Sequence, residues 1–97
     1  MTITRIYRVQ IKQALRGEFE PLFKTVAPSS VQSAPGCKFA KLGGPVDATP
    51  NDYAVTSIWD SVNNLKEFAG DDWTKPHIPD GMERFVDRCW VHHYSEI

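Results

Sequence analysis

The chain has 97 residues, 41% of them hydrophobic and 24% charged, the composition of one globular domain over residues 1–97 with a modest core. A chain this short buries roughly 60–65% of its unfolded surface, so an oligomer interface would add materially to its stability. The formal net charge of -1, with no run of Lys or Arg, argues against a nucleic-acid partner, and no segment is apolar for long enough to cross a membrane.

Ile3, Tyr7, Val9 and Ile11 mark a first strand, with Arg5 breaking the apolar series. The opening MTITRIYRVQIK alternates polar and apolar residues and forms no signal-peptide block, so a cytoplasmic location is expected. In QALRGEFEPLFKTVA, Leu15, Phe19, Leu22, Phe23 and Val26 recur at helical spacing. Pro21 lacks the N–H that would reach the Gly17 carbonyl, which predicts a short lead-in turn before the main helix. The stretch Ser29 to Pro35 is polar and flanked by Pro28, so the helix is expected to fray into a loop there.

Gly36 starts a second strand, CKFAKLG, which Gly43-Gly44-Pro45 ends, and VDATPND reads as a hairpin connection. YAVTSIWDSVNNLKEFAG follows. Tyr53, Val55, Ser57 and Trp59 alternate with Ala54, Thr56 and Ile58 in the two-residue period of a strand. Asp60 or Ser61 can cap the next helix, whose Val62, Leu65, Phe68 and Ala69 share one side. DDWTKPHIPDG, residues 71–81, predicts a short turn of helix around Trp73 within an irregular cover over the sheet. Met82, Phe85 and Val86 suggest a brief helix that Asp80 could cap. The chain closes on a strand, RCWVHHYSE, with Trp90, His92 and Tyr94 on one face and Cys89, Val91 and His93 on the other.

This order predicts an α+β, ferredoxin-like βαββαβ fold with a four-stranded antiparallel sheet. Both helices then cover one face of the sheet. The other face needs a cover the chain cannot supply, which predicts a homodimer paired sheet against sheet through Trp90 and Tyr94. Cys37 and Cys89 lack CxxC spacing and read as small buried hydrophobes. His92 and His93 project to opposite faces and cannot chelate one ion, and no HxxxH or carboxylate triad suggests a metal. Gly43-Gly44 runs into Pro45 and not into a helix, and Ser29 and Ser30 lack a GxSxG setting, so phosphate-loop and nucleophile-elbow chemistry are excluded.

RIYRVQIK with the EFEPLF helix, the PGCKF strand start, the YAVTSIWDSVNNLKEF unit and the closing MERFV and CWVHHY segments together resemble the antibiotic biosynthesis monooxygenase (ABM) family. The resemblance spans nearly the whole chain and implies membership of the dimeric α/β barrel superfamily, with two ferredoxin-like subunits joining their sheets into a barrel. It implies a pocket between sheet and helices, and oxygenation of a phenol- or quinol-like aromatic molecule with no cofactor. Trp59 falls where the polyketide-oxidising branch has a pocket Trp, while Val55 and Leu65 stand near positions that are polar in that branch, and Arg84 is the first downstream Arg. The haem-degrading branch uses an Asn on the first strand, a Trp on the second helix and a following His. Here Tyr7 and Arg8 replace the Asn and Phe68 stands in for the Trp, with His77 placed as the His, so haem degradation is disfavoured.

Cofactor-free oxygenation needs an apolar pocket for the ring, a base that helps form the phenolate, and a donor for the resulting oxyanion. Trp59, Trp73, Phe68 and Phe39 are the expected substrate-binding walls. His77, in the lid-like segment, is the expected catalytic base, and Tyr7 or Arg84 the donor. Plainer roles exist for the same residues: Trp59 as core, His77 as an exposed loop residue, Tyr7 as strand packing. The rival function is a non-catalytic dimeric module that binds a small hydrophobic ligand. A third reading has Phe39, Phe68 and Trp73 pack the pocket shut.

Overall fold

Strand alternation becomes a four-stranded antiparallel sheet in the order β2-β3-β1-β4, seen in a computed structural model of the chain. The backbone is described for residues 1–97 and the side chains for all but residues 28–30. The strands are β1 (Ile3–Ile11), β2 (Cys37–Gly43), β3 (Asp52–Trp59) and β4 (Val86–Ser95). Helix α1 (Arg16–Val31) links β1 to β2, and α2 (Val62–Ala69) lies between β3 and β4. The fold is the expected ferredoxin-like α+β arrangement.

Register assigns the faces. Ile3 lies opposite Trp59, Arg5 opposite Ser57, Tyr7 opposite Val55 and Val9 opposite Tyr53. On the other side of β1, His93 pairs with Arg5, Val91 with Tyr7 and Cys89 with Val9. These residues share the face that the helices cover. Trp90, His92 and Tyr94 project from the opposite face, as the alternation predicts, beside Arg8, Ile6 and Thr4.

Local chemistry explains most element ends. A single 3-10 turn, Gln13–Leu15, is the expected lead-in to α1. The helix does not end near Ser29: it reaches Val31, which is buried in the core. At the start of α2 the cap is Ser61, whose Oγ accepts the Asn64 N–H at 3.2 Å. Asp60 instead lies 3.8 Å from Lys38 Nζ. Gly70, at φ 85°, stops the helix. The later 3-10 turn, Glu83–Phe85, has no side-chain cap, so Asp80 does not serve as one. Gly36 adopts φ 83° and accepts the Asp60 N–H at 2.8 Å, while a Cβ there would collide with the Asn64 side chain. That contact ties the start of β2 to the first turn of α2.

The core lies between the sheet and the helices. Trp59, Leu65 and Ile11 are completely buried. Toward one end, Phe19, Phe23, Tyr53 and Phe85 pack with ring centroids 5.0 to 5.6 Å apart. Residues 71–81 form the expected irregular cover, with a turn closed by Lys75 N–H to Asp72 C=O at 2.9 Å.

Candidate functional site

The inward face of β1 departs from the apolar pattern at its middle, and a cavity opens there. It measures about 530 Å³ and lies between the sheet, α1, the end of α2 and the 75–82 segment. Arg5, Tyr7, Val9, Val55 and Ser57 form its floor. Phe19 and Phe23 of α1 and Phe68 of α2 supply aromatic wall, and Lys75, His77 and Ile78 close the lid side. The size suits a small organic ligand, and the mix of apolar wall with a few converging polar groups is what such sites require.

Arg5 is only 7% exposed, and among the described residues no carboxylate pairs with it. Its Nη1 donates to the Trp73 carbonyl at 2.8 Å and to His93 Nε2 at 3.0 Å. A guanidinium only donates, so His93 Nε2 must accept. Burial, then the charge of Arg5, then His92 hold the His93 pKa below the usual imidazole range. The Trp73 ring meets the His93 ring edge-on at 4.8 Å.

Tyr7 is the second polar group on the floor. Its hydroxyl donates to the His77 carbonyl at 2.9 Å and accepts from Cys89 Sγ at 3.0 Å. Burial is the main reason that its pKa lies well above the ordinary tyrosine value, so the phenol stays protonated at neutral pH. Cys89 is likewise pushed up, chiefly by burial. Both cysteines are free and only half-buried, and Cys89 acts here as a hydrogen-bond donor more than as a plain hydrophobe.

The sequence matches no family model, and no curated protein matches it either. Solved structures do match the whole fold. The protein named "putative antibiotic biosynthesis monooxygenase" from Caulobacter crescentus superposes with a TM-score of 0.77 at 21% identity, covering 99% of this chain and 90% of that one. A conserved protein from Methanosarcina mazei Go1 gives 0.78 at 17% identity over 100% and 94% of the two chains. The haem-degrading protein Rv3592 from Mycobacterium tuberculosis gives 0.65 at 19% identity over 98% and 93%. The chain has the ABM fold.

Within this ABM fold the expected site residues separate. Tyr7 and His77 both line the cavity and are joined by a hydrogen bond. Arg84 is elsewhere: it is exposed, donates to Glu18 at 2.9 Å and sits 4.0 Å over the Phe85 ring. Of the four expected walls only Phe68 borders the cavity. Trp59 stands behind it, with ring centroids 4.9 Å apart, and its Nε1 donates to Ser57 Oγ at 2.9 Å. Trp73 contributes its carbonyl to Arg5 and its ring to His93. Phe39 lies opposite Ile58 on the open face of the sheet, so it is no pocket wall. With Phe39 and Trp73 outside it, the cavity is not packed shut.

Arg5, Ser57 and His93 are the residues that the sequence pattern conceals. Arg5 reads there as a break in an apolar series. An inward-facing charge in a central strand is itself the signal, because Arg is almost never buried without a partner.

Proposed function

We propose that the chain is a small cofactor-independent monooxygenase acting on a phenol- or quinol-type aromatic molecule. The observation that carries this reading is the 530 Å³ cavity, whose apolar walls enclose one buried cation and a tyrosine. Val9, Phe23 and Phe68 would dissolve the ring and exclude water. A base would remove the phenolic proton, and His77 is the cavity-lining residue suited to that step. Arg5 would stabilise the negative charge that forms in this low-dielectric setting. Tyr7, held protonated and bonded to the His77 carbonyl, positions the lid. The electron-rich ring then reduces O2: one oxygen atom replaces the ring C–H as a quinone carbonyl, and the other leaves as water.

The ABM-type homodimer belongs to the same reading. Phe39 and Tyr94 are about half exposed on the open face of the sheet, which supports a second copy as its cover. Among the described residues no helix is long and apolar enough to cross a membrane.

Oxygen uptake with anthrols, naphthols and catechols tests the reading. Wild type should consume O2 above the autoxidation rate, and folded His77→Ala should lose at least about tenfold of that rate. No uptake with any compound would sink it. The rival, a non-catalytic binding module, is favoured by one feature: two of the polar floor residues already donate to lid carbonyls, Arg5 to Trp73 and Tyr7 to His77.

A further inference from the structure

The cavity carries positive charge with nothing opposite to it. Arg5 and Lys75 line it, and no Asp or Glu does among the described residues. The overall charge of the chain is -1, so this is a local excess and not a general basicity. Leaving a guanidinium this deeply buried without a counter-charge is unfavourable, and the neighbours do not relieve it. Trp73 offers a neutral carbonyl and His93 a neutral imidazole nitrogen. Tyr7 and Cys89 have their pKa values raised and remain uncharged.

The guanidinium is also used unevenly. Both of its protein bonds come from Nη1, one to Trp73 and one to His93. The Nε–H and Nη2–H edge has no acceptor among the described residues and belongs to a side chain that lines the cavity. That edge presents two parallel donors, the spacing that a carboxylate meets with its two oxygens. An ordinary phenol titrates near 10 and would arrive neutral, whereas a carboxylic acid is ionised at neutral pH.

We infer that the ligand of this cavity is a phenol- or quinol-type aromatic molecule that also carries a carboxylic acid, its ring against Phe23 and Phe68 and its carboxylate on the Nε/Nη2 edge of Arg5. The inference deepens the proposed function by naming a substrate class and rests on the same cavity being the site. Arg5 is then a binding and specificity residue, held in place by Trp73 and His93, and its free edge is taken by the carboxylate and not by the charge that forms on the ring.

Calorimetric titration at pH 7.5 with 2-naphthoate and with 2-naphthalenemethanol tests it. The two probes share a ring system and differ in charge. Wild type should bind the carboxylate at least about tenfold more tightly than the alcohol, as a charge-assisted bidentate pair implies. Arg5→Gln should lose the preference, its affinities for the two probes agreeing to within about twofold. Arg5→Lys, which keeps the charge without the planar edge, should fall between. Equal affinity of wild type for both probes overturns the inference, as does a preference that survives in Arg5→Gln. Should both variants fail to fold, the wild-type pair of titrations decides alone. Naphthoate preference without oxygen uptake on any phenol would refute the oxygenase and leave this inference standing. Binding of neither probe would overturn the inference, while oxygen uptake would still decide the oxygenase.

Discussion

The molecule contains two strand-helix units, β1 with α1 and β3 with α2, and they are built to different ends. The inward residues of β3 are Tyr53, Val55, Ser57 and Trp59, all buried, and the chain passes straight into a capped helix. Those of β1 are Ile3, Arg5, Tyr7, Val9 and Ile11, with the polar pair in the middle, and a 3-10 turn precedes the helix. The two strands are adjacent, so Arg5 faces Ser57 and Ile3 faces Trp59. One unit supplies the rigid frame and the other places charge where the frame leaves space. A broken local pattern beside an intact one marks the position of the cavity.

The largest effect should separate the units. Trp59→Ala removes a completely buried indole from the frame, and urea denaturation should show a loss of ~3–5 kcal/mol. A loss under about 1 kcal/mol would mean that β3 is not the frame. A smaller effect belongs to Ser61→Ala, which strips the α2 cap and should cost about 1 kcal/mol in the same assay. No change there would place the anchoring of α2 in its packing alone.

The β1 unit should announce itself through pH. His93 meets the Arg5 guanidinium and the Trp73 ring, and burial, with the charges of Arg5 and of the neighbouring His92, holds its pKa in the fold below the unfolded value of 6.5. The neutral form is therefore favoured by folding, and its contribution is fully present above pH 6.5. It is lost as pH falls from there through the folded value. Denaturation midpoints at pH 7.5 and 5.0 should drop more in wild type than in His93→Gln. Equal drops would detach His93 from Arg5.

Strand order, strand faces and the Ser61 cap are legible in the sequence because each rests on a short period or a fixed spacing. The walls of the site are not. Counting alternate residues from Cys37 puts Phe39 inward, opposite Ser57. The register shift between Cys37 and Phe39 turns it outward, opposite Ile58, and gives the inward place to Ala40. A one-residue slip reverses every face beyond it, and no local pattern shows that slip. Trp59 lies on the expected face but sits behind Phe68 and Ser57, a matter of depth that periodicity does not report. Arg84 misled differently: its partner Glu18 is 66 positions away in sequence.

The hydrogen bonds from Arg5 and Tyr7 to the carbonyls of Trp73 and His77 have a kinetic side. Two side chains of one strand hold the cover segment by its backbone, so releasing it leaves the sheet ladder intact. Opening is then a loop-scale motion, faster than any unfolding of the core. Cutting the Tyr7 tether would raise a ligand's association and dissociation rates together, with affinity little changed. The Tyr7 bond to the cover would then shape residence time in this cavity through a contact within the protein alone.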